Sequence, residues 1–522
     1  MSSADAKPCW ECFKKRRVCD FSRPSCLKCV SRCLRCPGYD QKPLKWLQPG
    51  QTRSKGRRAK DEAGQMVLHD SPTVPPSLPA QGTEPVQAAM YYNSMVCPDL
   101  EALGGAGEGS SYFVPLFAVA YMPPASHETM ICTSLGHRLL QMGYNAQSKD
   151  AIVVARRLQT HRGNAMRFLS EMIANPSFQY GDQTLGAIVI FLLSDIQHSI
   201  APTWSYHNEG AHALIRAQGG LRECILAKPN MGHLYRYFLL YDLYTMAYPE
   251  VLLTTDHSTD IMGATTTPHL TTQKTERQIA VIDLLKQVYG LGLITSVACD
   301  HYLIRLIVLI NHQRALHAME RPSAAEAFSS MLAILDQIRA FSVEDWVVDI
   351  SVAQASWGRN KLRSSEQRRE SDPTWNWGPV GKAYQAAVAL YCISSLADVD
   401  EIAKNSVSGA FHRVSEVLLL KESCRRSLLG NLKEIATDPI SQLRKLVFWP
   451  VFMAGVSSDD DEDGARTFVL TELLHISRSL GTAAALIAHG FLEKQWASAT
   501  AKHSSNFQTW DDLFDRPFIF AL

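Results

Sequence analysis

Cys9-Trp-Glu-Cys12-Phe-Lys-Lys-Arg-Arg-Val-Cys19-Asp20, followed by Cys26-Leu-Lys-Cys29-Val-Ser-Arg-Cys33-Leu-Arg-Cys36, is the stretch on which the reading of this chain turns. Six of these cysteines follow the pattern C-x2-C-x6-C twice, and the second copy is displaced from the first by 17 residues. In C-x2-C two sulfurs can converge on one metal ion from a tight turn, and a third sulfur six residues later can return to it. Each half therefore offers three thiolates.

A closed structural zinc site takes four ligands, so two zinc ions need eight, and six cysteines suffice only if two thiolates bridge both metals. The expected set is Cys9, Cys12, Cys19, Cys26, Cys29 and Cys36 with two Zn²⁺. Such a cluster carries a net charge of about −2, which the surrounding lysines and arginines offset. Cys33 is a seventh thiol that the repeat does not require, and it reads as a bystander. Single-zinc fingers often use histidine, yet no histidine precedes His69. Catalytic zinc needs an open coordination position, which an all-thiolate cluster does not have. No apolar segment suited to a secretory leader lies near Met1, so a reducing compartment is expected and disulfides are disfavoured.

Charge is distributed as unevenly as sulfur. Residues 1–60 hold sixteen Lys and Arg against four acids, while the remaining 462 residues are net acidic, and the two parts nearly cancel to +1. A basic arm on a mildly acidic body is the signature of a polyanion-binding head joined to a domain with another task. Between Cys12 and Cys19 a one- to two-turn helix over 13–18 would project Lys14, Lys15, Arg16 and Arg17 from a rigid base. Arg or Lys on guanine O6 and N7 is the commonest specific major-groove contact, which suits a G-rich triplet. Arg23, Lys28, Arg32 and Arg35 suit phosphates, which position a module without reading sequence. A bare nuclear-import signal is the bland alternative for the run.

The head resembles the fungal binuclear zinc-cluster transcription factors, which carry these six cysteines at this spacing. Shared with them are the Cys-basic-run-Cys-Asp element ending in Cys19-Asp20, Pro24 ahead of the fourth ligand, and Cys36-Pro-Gly-Tyr39. The resemblance implies that Cys9 and Cys26 bridge the metals, that the helix after Cys12 enters the major groove, and that Lys15 and Arg16 touch a CGG triplet. Two departures stand out. Val18 occupies a position where most members have Lys, and Phe13 one where Arg is usual.

Downstream, residues 47–110 read as a disordered linker, basic at first and then rich in Pro and Gly. From 111 to 522 apolar residues recur with helical spacing, as in Ala165, Leu169, Met172 and Ile173, in Tyr384, Val388, Tyr391 and Ser395, and in Val469, Leu473, Ile476 and Leu480. The fold expected is mostly α: a zinc-cluster head at 1–46, the linker, and one all-helical domain or two fused helical lobes. The charged stretches 359–370 and 459–463 read as solvated loops. Resemblance to the family's regulatory domain rests on Trp204-Ser-Tyr-His-Asn-Glu-Gly210-Ala211 leading to Gly219-Gly220, and on Phe448-Trp449-Pro450 through Gly455, then Arg466, Trp496 and Trp510. Locally, Gly219-Gly220 reads as a helix cap and Trp449-Pro450 as a helix boundary.

The longest apolar run, 185–193, is less than half the roughly 20 residues a membrane helix needs, and no catalytic motif appears, so the chain is expected to be no enzyme and no membrane protein. The reading is a nuclear transcription factor, an activator by family habit, whose partners are double-stranded DNA with CGG-type half-sites and the transcription machinery or co-regulators. Residues 37–63 hold no heptad, so any homodimer is expected to form through the helical domain. The rival readings are an enzyme with a zinc tether and a zinc-cluster protein-interaction or repressor protein with little DNA reading.

Overall fold

A computed structural model describes residues 8–36 of the head, apart from 10–11, 13–14, 16, 23–24 and 33–35. In the body it describes 84–97, 113–142, 148–198, 204–220, 260–289, 299–359, 376–397, 411–437, 442–458, 463–501 and 509–520, apart from isolated positions. The chain divides into two compact units, 1–73 and 74–522. Among the described residues all regular secondary structure is helical.

Among the described residues of the head, the helix described from end to end is α1 (Leu27–Val30), capped by Cys26. The buried side chains among those residues are cysteines.

The body begins with α2 (Glu84–Met95). This helix lies inside the stretch that composition reads as disordered linker, and it is ordered because Ala88, Ala89 and Tyr91 are buried in an apolar cluster with Met130, Ile131 and Leu135 of α3 (Pro124–Gln141). Composition over 47–110 averages the proline-rich segment with these few apolar positions and so hides them. Next come α4 (Lys149–Ala174), α5 (Asp182–His198) and α6 (Trp204–Ala217). Ser148 caps α4 by accepting from the Ala151 N–H at 3.0 Å. Ala165 and Leu169 of its stripe are buried and Met172 is half-buried, whereas Ile173 is exposed, because the stripe drifts off the packed face as the helix ends. Gly219 and Gly220 terminate α6 with φ of 99° and 98°, and the Gly220 N–H returns to the Ile215 carbonyl at 2.9 Å, as a helix cap requires.

The largest core is built by α7 (Thr272–Tyr289), α8 (His301–Glu320), α9 (Ala324–Arg339), α10 (Val343–Arg359), α11 (Gly378–Leu396), α12 (Phe411–Thr437), α13 (Phe448–Val456), α14 (Asp463–Leu480) and α15 (Ala484–Ala501). Its axis is α11, which is apolar on nearly every side and therefore has to be surrounded. Gly381 admits α10 against it, since a Cβ there would lie 2.7 Å from the Trp346 ring. Ties from the first helices to the last make the body one unit rather than two lobes: the Ala483 N–H donates to the Gln197 carbonyl at 2.6 Å, and Gln141 reaches the Arg478 carbonyl.

The family-like residues from Phe448 onward meet at this core, whereas Ala211 of the earlier stretch packs in a separate cluster with Leu185 and Ile188. Trp449, which follows a 3₁₀ segment Gln442–Val447 as the boundary reading expects, sits against Tyr384 and Tyr391 with ring centroids 6.4 and 6.0 Å away. Trp496 donates to the Gly455 carbonyl at 3.2 Å, and Arg466 lies 5.0 Å over its ring. Trp510 meets Tyr391 edge-on at 5.1 Å. They are packing residues, and the pattern carries a fold.

No sequence signal marks Arg314, which proves to be a structural hub. Its guanidinium is buried and donates to the carbonyls of Ala264, Thr265 and Thr267, each at 3.1 Å, to the Tyr391 hydroxyl at 2.7 Å, and to Asp511. Trp510 adds a bond from its indole N–H to the Thr265 carbonyl at 2.7 Å. Together they fasten segment 509–520, with Trp510, Phe514 and Phe520 buried, to the main core.

Candidate metal centre and nucleic-acid interface

The six expected ligands come together. Cys9, Cys12, Cys19 and Cys26 form one group and Cys9, Cys26, Cys29 and Cys36 a second, with the sulfurs of each group within 4.8 Å of one another. Cys9 and Cys26 belong to both, the sharing that six ligands for two tetrahedral sites demand. Sγ atoms lie 3.6 Å apart for Cys9 and Cys26, 3.7 Å for Cys12 and Cys26, and 3.8 Å for Cys9 and Cys29. A tetrahedral zinc with Zn–S bonds of about 2.3 Å sets its sulfurs about 3.8 Å apart, so the donor set fits the ion in element, number and spacing. These separations are also far beyond a disulfide's bond length of about 2.0 Å. Among the described residues no other set of His, Cys, Asp and Glu converges in this way.

The 17-residue repeat is visible in the backbone. Cys12 donates its N–H to the Cys9 sulfur at 3.5 Å, and Cys29 donates to the Cys26 sulfur at 3.3 Å, so each C-x2-C turn is closed by the same bond. Burial pushes the Cys9 thiol up to about 12 and raises Cys26 further. Thiols packed this closely keep their protons unless a cation takes up their charge.

Asp20 shows why an acid follows the third cysteine. Its carboxylate accepts from the Ser22 hydroxyl at 2.6 Å and from the backbone N–H groups of Leu27 and Lys28 at 3.0 and 3.3 Å, and the hydroxyl bond first, with those backbone bonds, holds it down at about 2. One side chain thus clamps the first half of the repeat to the start of α1 in the second. The intervening Phe21 takes a φ of 58°, the left-handed region that turns the chain back.

The basic residues divide. Lys15 and Arg17 from the first half and Lys28 and Arg32 from the second are exposed and line one open concavity of about 290 Å³ beside Cys12 and Cys29. Lys14, Arg16, Arg23 and Arg35 lie outside the described residues, as do Phe13, Cys33 and most of 359–370 and 459–463. The helix expected over 13–18 does not run its full length: Cys12 is helical and Lys15 lies in a turn, but Arg17 and Val18 have left the helix. The Arg17 N–H closes that turn on the Cys12 carbonyl at 2.9 Å. The helix stops early because Cys19 has to bring its sulfur back to the Cys9 N–H, 3.5 Å away.

The body has its own open cavity of about 310 Å³ between α9, α11 and α12, with Arg339 and Lys382 over Leu335 and Ile338. Cys424 lines it beside Ser423 and Ser427. No helix among the described residues is long and apolar enough to cross a membrane.

Residues 88–520 match the family described as the fungal specific transcription factor domain, and the chain belongs to that family of transcription regulators. The match starts within α2, which agrees with that helix being part of the body. Over its whole length and 91% of the relative's, the chain is 26% identical to a phomenoic acid biosynthesis cluster-specific transcriptional regulator of Leptosphaeria maculans. No solved structure matches it.

Proposed function

We propose that this chain is a zinc-dependent, sequence-specific DNA-binding regulator of RNA polymerase II transcription, an activator that works in the nucleus on CGG-type sites and has no catalytic role. The supporting observation is that two four-thiol groups sharing Cys9 and Cys26 contribute Cys12 and Cys29 to a concavity lined by Lys15, Arg17, Lys28 and Arg32. Two zinc ions, when bound, would turn the six thiols into thiolates and cross-link both halves of the head. The protein's own residues do the rest. Lys15 and Arg16, with Lys14 and Arg17 beside them, offer donors to guanine edges, while Arg23, Lys28, Arg32 and Arg35 meet phosphates. The body serves regulation, contact with the transcription machinery or co-regulators, and any homodimerisation. The relative's role as a regulator specific to a biosynthesis cluster makes a secondary-metabolite gene cluster the natural target.

Native mass spectrometry and titration against CGG-containing and scrambled duplexes at several salt concentrations test this reading. Two zinc ions per chain are expected. Arg16→Ala and Lys15→Ala should each cost roughly 1–3 kcal/mol at the cognate site and relax preference at one base pair. Arg35→Ala should weaken all duplexes alike and lower the salt slope by about one. Equal loss of cognate and scrambled binding in Arg16→Ala would make that residue a phosphate contact. A wild-type chain that holds zinc but prefers no duplex would favour a protein-docking head instead.

A further inference from the structure

A lone exposed valine is ordinary on a protein surface, but Val18 does not stand in ordinary surroundings. Its side chain is 87% exposed, and it lines the same concavity as Lys15, Arg17, Lys28 and Arg32, so it is an apolar group set among four cations. Its position is rigid from both sides. Arg17 before it is tied to the Cys12 carbonyl, and Cys19 after it is buried among the thiols. A β-branched side chain on a pinned backbone has few rotamers left to lose on binding.

The question is what such a group can meet when the concavity closes on a polyanion. Phosphates offer oxygen only. The edges of the bases in the major groove offer donors and acceptors throughout, with one apolar exception, the C5-methyl group of thymine. Covered by anything else in the groove, Val18 would displace water from polar edges and return nothing.

Building on the DNA-binding reading above, we propose that Val18 is a specificity-determining residue that packs on the C5-methyl of a pyrimidine in the major groove, next to the bases read by the neighbouring cations. The protein would thereby require a methyl-bearing pyrimidine at one position of its site. Thymine supplies that methyl in ordinary DNA, and 5-methylcytosine carries the same group.

The experiment uses the full-length zinc-loaded chain and a duplex selected from a random pool. Each thymine of the selected site is replaced in turn by deoxyuridine, which removes the methyl and leaves every hydrogen-bonding group. One such replacement should weaken binding about fourfold, the loss expected from one buried carbon, and the others should have little effect. At that position cytosine should bind poorly and 5-methylcytosine should recover part of the loss. Val18→Ala should keep its zinc and its binding to the rest of the site but no longer distinguish thymine from deoxyuridine. Uniform tolerance of deoxyuridine by the wild-type chain would overturn the proposal, as would an undiminished deoxyuridine penalty in Val18→Ala. Selection of no duplex at all would instead remove the DNA-binding reading on which the proposal stands.

Discussion

The head and the body are held together by opposite means. Among the described residues of the head the buried ones are Cys9, Cys12, Cys19, Cys26 and Cys29, its one fully described helix has four residues, and the sulfur–sulfur contacts span no more than 20 positions. In the body, fifty-odd apolar side chains from α5 onward share one core, and Arg314 reaches 197 positions along the chain to Asp511. A segment as short as the head cannot bury enough apolar surface to offset chain entropy, so the proposed metal ligation would have to stabilise it, whereas the described body is held by long-range packing. A chelator and a core mutation should therefore act on different halves of the same protein.

The largest contrast should come from metal. Structural zinc contributes on the order of 10 kcal/mol to small domains of this kind. Chelation, or Cys26→Ser, which removes a thiol common to both groups, should abolish sequence-specific DNA binding and release both ions, while far-ultraviolet circular dichroism of the full chain barely changes. Cys33→Ser should release none. If chelation melted the helical signal, the two halves would not be independent.

Removing Arg314 attacks the other half. Arg314→Leu removes a donor shared by three carbonyls and a tyrosine hydroxyl, of which the Thr265 carbonyl keeps the Trp510 indole, and takes from Asp511 its guanidinium; it should cost roughly 3–5 kcal/mol. The readout is thermal unfolding of the helical signal, with zinc content unchanged. A shift in melting temperature too small to measure would show that segment 509–520 is held by its aromatic contacts alone.

Acid should find the body by a route absent from the described head. Burial lowers His137 to about 4 and His198 to about 3, and neighbouring Arg162 and the two rings' mutual repulsion act on His198 in the same direction. Both therefore stay neutral in the folded body. In the unfolded chain they take up protons below about pH 6.5. Stability is thus undiminished above that pH and declines as pH falls from about 6.5 toward 4, by about 1.4 kcal/mol per pH unit for each histidine. Denaturant midpoints at pH 7 and pH 5 measure this, and a flat profile would mean that the two rings are hydrated.

A small effect completes the series. Ser323 and Glu326 form a capping box at the start of α9, with Ser323 Oγ accepting from the Glu326 N–H at 3.3 Å and the Glu326 carboxylate accepting from the Ser323 N–H at 2.8 Å. Ser323→Ala should cost about 1 kcal/mol. Its midpoint should shift without any change in DNA affinity.

Taken residue by residue, the convergence of the six cysteines was legible because the chemistry is local: two thiols at C-x2-C meet wherever that turn forms, and counting ligands for two tetrahedral sites requires two to be shared. The helices of the body were legible from their spacing, and the Gly219-Gly220 cap from the backbone conformation that glycine alone takes easily. Other features depended on partners far along the chain. Helix α2 was hidden in a segment whose average composition reads as linker, because its order comes from α3 and its own propensity adds little. Arg314 looked like any helix arginine, since its acceptors lie at 264–267, 391 and 511. The helical turn at Cys12 ended before Val18 because a sulfur bond back to Cys9 outranks the helical preference of the residues between, and the same turn left Val18 exposed among cations. What the sequence by itself determined was therefore the cysteine set, the sign of the charge around it and the helical periodicity, all set by neighbours within a few turns. What only the tertiary structure decided was which polar groups are buried together and which apolar one is left facing out, because burial is a property of the folded whole.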